Sequence, residues 1–166
     1  RGLDASTAGL FMLLQPLMMA LLSPRAGALS DRHEPRLVAS VGMALTALGL
    51  FWFSRLQADT PLLVVAANFI LIGIGFAFFS SPNSNAIMGA VQPKFYGVAS
   101  SILSVMRISG QAVSMAVVTV LLTLYTAAHT SPEYLPSLLA EIQRIFLLLG
   151  ISCTFGVGAS LLRGKK

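Results

Sequence analysis

The eighteen residues from Leu62 to Phe79 read LLVVAANFILIGIGFAFF, without one Asp, Glu, Lys or Arg. A bilayer core about 30 Å thick is crossed by about 20 helical residues, so such a run reads first as a membrane span. Four further uncharged runs flank it: Ala5 to Pro24, Leu37 to Phe53, Ile108 to Ala128 and Ile145 to Leu162. Together the five runs take up more than half of the 166 residues. The whole chain is 55% hydrophobic and 10% charged, whereas a soluble domain carries about a quarter charged residues. Strands of a membrane barrel are shorter, about 9–11 residues, and alternate in polarity, which these runs do not. The expected fold class is therefore an all-α membrane protein. Its five transmembrane helices are placed at about 6–29, 35–54, 61–91, 98–128 and 137–162.

Several function classes fall away on the same residues. The net charge is +5, but the basic residues are scattered between apolar spans, so no nucleic-acid partner is expected. Cys153 is the single cysteine, and His33 and His129 lie far apart with no acidic cluster beside either. No metal site and no cofactor are expected. No Ser/His or Asp/Asp arrangement stands within the spans, so the chain does not read as an enzyme. It opens Arg1-Gly2-Leu3-Asp4, with no secretory signal and no initiating Met, and is expected to be a piece of a longer protein.

Lys and Arg stay preferentially on the cytoplasmic side of short loops. Five spans put Arg25, Arg32, Arg36, Lys94, Arg163, Lys165 and Lys166 on one side, and Arg1 and Arg55 on the other. That asymmetry predicts a multi-pass protein of the cell membrane, amino end outside and carboxyl end in the cytoplasm. Asp59-Thr60-Pro61 supplies an N-cap followed by Pro at the first helical position, and Glu34-Pro35 opens the second span in the same manner. Ser131-Pro132-Glu133 is expected to start an outer turn. Leu62 to Val91, bent at Pro82, and Val98 to Ala128 are expected as long helices. Gln92 to Gly97 joins them as a cytoplasmic hairpin. Glu141 and Arg144, three residues apart, are expected to pair across one turn near the outer surface.

Gly27-Ala28-Leu29-Ser30-Asp31-Arg32, followed by Pro35-Arg36, resembles the cytoplasmic signature loop of the major facilitator superfamily, in its carboxyl-terminal-half copy. Glu34 stands where that pattern has a turn glycine. A second series is similar to the fourteen-span drug:proton antiporter branch, the EmrB/QacA type. It comprises Gly73-Ile74-Gly75, Ser81-Pro82-Asn83, Ala86-Ile87-Met88, Gly97-Val98-Ala99-Ser100-Ser101, Met106-Arg107 and Gly110. The resemblance covers nearly the whole chain and implies the last five spans of such a transporter, within a six-helix carboxyl-terminal half. It implies export of small amphipathic compounds by alternating access. Proton coupling would run through residues outside this segment, and the partners implied are the lipid bilayer, the amphipathic substrate and the missing amino-terminal half. Gly27, Asp31, Arg32 and Arg36 would form the signature loop, either as a conformational latch or as positive-inside anchors. Asp31, read as entering a helix, would be favoured by the positive end of its macrodipole.

Polar groups inside the spans are the remaining candidates, because in lipid each needs a partner or water. Asn68 and Gln111 are expected to line a wet cavity, with Asn83 and Arg107 as further substrate-pathway candidates. Reflecting the long hairpin about its loop sets Arg107 opposite Pro82, whose missing N–H leaves the Phe78 carbonyl free. Arg107 is then either a polar joint at that site or a side chain snorkelling to the headgroups. Met12, Met18, Met19, Phe76, Phe78 and Phe79 read as a soft binding wall or as ordinary packing. The alternative for the whole chain is a structural or assembly membrane subunit without transport of its own.

Overall fold

The computed structural model describes residues 4–128 and 134–162. The five apolar runs form five helices: α1 (Ala5–Arg32), α2 (Pro35–Phe53), α3 (Leu62–Gly89), α4 (Tyr96–Ala128) and α5 (Tyr134–Leu162). A 3-10 turn at Pro93–Phe95 joins α3 to α4. All five are long and apolar enough to cross a membrane. The protein is an all-α multi-pass membrane protein. Arg1, His129, Ser131-Pro132-Glu133, Arg163, Lys165 and Lys166, used above, lie outside the described residues.

The helix ends differ in detail from their expected chemistry. Pro35 does open α2, with Glu34 at the cap, but the Glu34 carboxylate turns to Arg36 Nε at 2.6 Å instead of capping. Pro61 is itself the N-cap of α3 rather than its first residue. Thr60 Oγ1 accepts a hydrogen bond from the Gln57 amide at 2.9 Å, so its hydroxyl closes the turn before the helix. Phe95 N donates to Gln92 O at 2.8 Å, and Lys94 Nζ lies 4.9 Å from the Phe95 ring centre. These two contacts make the hairpin compact.

α3 is the axis of the bundle, with α1 and α2 against it and α5 against α2. Gly73 and Gly75 explain how one helix serves two neighbours. Two residues apart on a helix means about 200° apart around its axis. A Cβ on Gly73 would lie 2.6 Å from Gln15 O of α1, and one on Gly75 would lie 2.5 Å from Thr46 Oγ1 of α2. Small residues thus let both backbones approach α3, the general device of helix packing in lipid. α5 closes on α2 through similar contacts. Gly150 meets the Phe51 ring, Gly156 meets the end of Met43, and Ser40 Oγ lies 2.8 Å from Ser160 Oγ. Phe53 joins the three helices at the other end, edge-on to Phe69 at 5.3 Å and tilted to Phe146 at 5.1 Å. The pair Glu141–Arg144 forms at 3.3 Å.

α4 stands apart. It meets α3 beside the hairpin, where Val98, Ala99, Ile102, Leu103 and Met106 face Ile87 and Val91 across an apolar groove of about 470 Å³. Elsewhere its contacts are sparse, and nearly every described residue beyond Leu103 is exposed.

Candidate functional site

The signature segment is helical, not a loop. Gly27, Asp31 and Arg32 occupy the last turns of α1, Arg36 the first turn of α2, and only His33 and Glu34 lie between. The expectation for Asp31 is therefore corrected: it sits at the carboxyl end of a helix, where the macrodipole opposes a carboxylate and favours Arg32 beside it. Asp31 and Arg32 are both exposed. The buried part of the segment is its small residues. A Cβ on Gly27 would lie 3.0 Å from Ser81 Oγ of α3. Ser30 Oγ donates to Gly27 O at 2.7 Å and accepts from Asn85 Nδ2 at 3.1 Å. The signature segment is thus tied to the Ser80–Asn85 stretch of α3.

Asn68 lies between α2 and α3 and is 1% exposed. Its Nδ2 donates to Gly49 O at 3.0 Å, while Oδ1 has no partner among the described residues. A void of about 20 Å³ adjoins it, lined in part by Thr60 and Arg55. One water needs about 10–15 Å³ and two to four polar partners, of which the orphan carbonyl is one. Asn68 is chiefly a clamp between two helices.

Asn83 enters a larger cavity, of about 180 Å³, at the end of the bundle where α2 begins and α5 ends. Arg36, Pro82 and Ser160 line it together with Asn83, so two of the expected site residues do meet, across elements far apart in sequence. Pro82 is fully buried on this side of α3.

Arg107 is consequently not opposite Pro82. It is exposed, and among the described residues it makes no hydrogen bond or ion pair. The reflection gives the register beside the hairpin, where Val98 and Ile102 face Val91 and Ile87, but Pro82 itself is turned toward α2 and α5. What α4 offers instead is a stripe. Ser100, Ser104, Arg107, Gln111 and Ser114 follow one another at steps of four and three, so they fall within about 40° of one line along the helix. All five are exposed. The opposite face is largely apolar, with Ile102, Val113 and Val120, and carries Ser109. The stripe was available in the sequence as that spacing, but it is masked there by Ser101, Ser109 and Thr119, which lie off the line.

The described carboxylates, Asp4, Asp31, Glu34, Asp59 and Glu141, all lie in connections or toward helix ends, and no metal-binding group of His, Cys, Asp or Glu occurs among the described residues. Met12 and Phe76 are exposed, whereas Phe79 lines the cavity beside Asn83. One helix of the bundle is thus nearly uncovered and carries a polar stripe. The relatives it matches are longer proteins. The chain is 33% identical over 107 residues to the riboflavin transporter RibZ of Clostridioides difficile, covering 64% of this chain and 24% of that protein. It is 26% identical over 167 residues to the lincomycin resistance protein LmrB of Listeria innocua, covering 96% of this chain and 36% of that one. With the multidrug resistance protein Stp of Mycobacterium tuberculosis it shares 30% identity over 146 residues, 87% of this chain and 27% of Stp. The chain thus spans about a quarter to a third of the relatives it matches. No solved structure matches it. The profile of the Major Facilitator Superfamily matches residues 1–165, end to end across the five helices, and the chain belongs to that superfamily of membrane transporters.

Proposed function

We propose that this chain is the carboxyl-terminal segment of a secondary transporter of the fourteen-span drug:proton antiporter branch, exporting small amphipathic compounds by alternating access. Its proton-carrying group lies upstream, as does the half that completes the pathway. The observation that carries the reading is the exposed stripe on α4. A guanidinium and an amide on a lipid-facing helix are costly, up to about 2.5–3.5 kcal/mol for an Arg at the helix centre, so such a face is suited to a hydrated pathway. The names of LmrB and Stp, a lincomycin resistance and a multidrug resistance protein, favour export of drug-like compounds. RibZ supports a second reading, in which the substrate is a planar aromatic such as the riboflavin of that transporter's name.

The test is the initial rate of substrate movement, normalised to protein in the membrane, in cells making the full-length transporter. Gln111→Leu and Arg107→Ala are expected to lower the rate about threefold to tenfold, the equivalent of one lost hydrogen bond of about 0.5–1.5 kcal/mol. Arg107→Lys is expected to keep most of it, because no bidentate partner calls for the planar fork. Val113→Ala, on the opposite face, leaves the rate unchanged. A Gln111→Leu protein as fast as wild type would remove the stripe from the pathway. Ethidium and riboflavin as alternative substrates separate the two readings, and movement of neither favours an assembly subunit.

We propose that the amino end lies outside and the carboxyl end in the cytoplasm of the cell membrane, a reading supported by the asymmetry of Lys and Arg between the connections. In a Cys153→Ser background, Asp59→Cys is expected to react with an impermeant thiol reagent on intact cells. Lys94→Cys is expected to react only after permeabilisation. Both positions are exposed in short connections. The reverse pattern would invert the topology.

A further inference from the structure

We infer that the polar stripe of α4 selects compounds that carry a negative charge, a carboxylate or a phosphate, and that Arg107 is the residue that sets this preference. The inference deepens the proposed export and rests on the reading of the stripe as a wall of the pathway. Two independent observations point to it, the sign of the charge and the state of the hydrogen-bond donors around it.

Between Asp59 and Glu133 the sequence has no Asp or Glu, so α3, the hairpin and α4 hold no carboxylate at all. The cations of that stretch are Lys94, which lies over the Phe95 ring in the hairpin, and Arg107. Arg107 stands about 16 Å along α4 from Tyr96, at 1.5 Å per residue. The described carboxylates of the other helices are not at that depth. Asp31 and Glu34 flank the short α1–α2 connection, and Glu34 is held by Arg36. Asp4 and Asp59 precede α1 and α3, and Glu141 pairs with Arg144 at 3.3 Å. A charge within a membrane is costly unless it is paired or hydrated. Among the described residues Arg107 has no such pair, so a negative group on the bound compound supplies it.

The neighbours on the stripe are free to donate. Ser104 and Gln111 stand one turn before and one turn after Arg107 on the same face. They make no hydrogen bond among the described residues, and neither do Ser100 and Ser114. Off that line, Ser101 Oγ donates to Gly97 O at 2.9 Å and Thr119 Oγ1 donates to Met115 O at 2.8 Å, within their own helix. A guanidinium has five donors and no acceptor, and the hydroxyls and the amide add donors on either side of it. Charge-assisted bonds from such groups to carboxylate or phosphate oxygens are about twice as strong as neutral ones. A cationic compound meets a like charge at the same place and gains none of them.

The experiment uses two dyes built on one xanthene ring, the anion fluorescein and the cation rhodamine 123. Their binding to the purified full-length protein in neutral detergent is read by fluorescence anisotropy. Fluorescein is expected to bind about tenfold more tightly, or about 1.4 kcal/mol. Arg107→Lys keeps the preference, because the positive charge remains. Arg107→Gln removes it by weakening fluorescein alone, and Arg107→Glu reverses it. Arg25→Gln, an exposed cation of α1 outside the stripe, leaves it unchanged. The inference is overturned if rhodamine 123 binds as well as fluorescein or better. It is also overturned if Arg107→Gln weakens both dyes equally, the sign of a guanidinium paired with a carboxylate elsewhere in the protein. Initial rates of the same dyes in cells test export separately. A preference in binding without movement supports the charge selection and removes export, whereas movement without a preference removes the charge selection alone.

Discussion

Gly42→Val is expected to prevent assembly of the bundle. A Cβ at this position would lie 2.4 Å from Phe79 N and 2.5 Å from Phe78 C, both backbone atoms of α3. Gly75 makes the reciprocal contact, its Cβ falling 2.8 Å from Thr46 N and 2.9 Å from Gly42 O. Overpacking in a core costs about 1–3 kcal/mol when side chains move aside. Here the obstacle is backbone, so no rotamer relieves it, and α2 must leave α3. The seam would open along Gly42, Thr46 and Gly49, and the α5 contacts with α2 would move with it. The expected result is loss of folded protein, or a melting temperature lower by more than about 5 °C in detergent. Gly110→Ala is the matched control, because nothing lies within 4 Å of its Cβ. Ala there improves helix propensity by about 1 kcal/mol and should not lower stability. Normal melting of Gly42→Val would show that α2 and α3 are not this close in the membrane.

Asn68→Asp is expected to have the second-largest effect, and Asn68→Leu a small one. The side chain is 1% exposed, inside the uncharged run Leu62 to Phe79. An Asp within a membrane helix is costly, up to about 2.5–3.5 kcal/mol at the helix centre on an insertion scale, and the carboxylate also loses the donor that now serves Gly49 O. Leu removes one hydrogen bond of about 0.5–1.5 kcal/mol but also removes the orphan Oδ1, whose burial is itself costly. These two terms offset each other. Melting temperatures of the three proteins should rank Asn close to Leu and both well above Asp. A Leu variant as unstable as Asp would show that Oδ1 has a partner worth keeping, such as a water held in the adjoining void.

The uncharged runs alone determined the number of spans, their helical nature and the membrane setting, because hydrocarbon admits only segments that satisfy their own backbone. Gly27, Leu29, Asp31 and Arg32, followed by Pro35-Arg36, likewise pointed to the superfamily. Helix ends were less legible. Whether Gly27 to Arg32 continues a helix or forms a loop depends on what α1 packs against, and Ser81 and Asn85, more than fifty residues away, decide it. The same holds for the polar candidates. Asn68, Asn83, Arg107 and Gln111 look alike in the sequence, as polar groups within apolar runs. Tertiary structure separated them into a buried clamp, a cavity wall and an exposed stripe. Sequence spacing fixes the angle of a residue around its own helix, but not which neighbour occupies that angle. That choice belongs to the small residues that let particular backbones approach, and it turned Pro82 toward α2 and α5 and left Arg107 on the open face of α4.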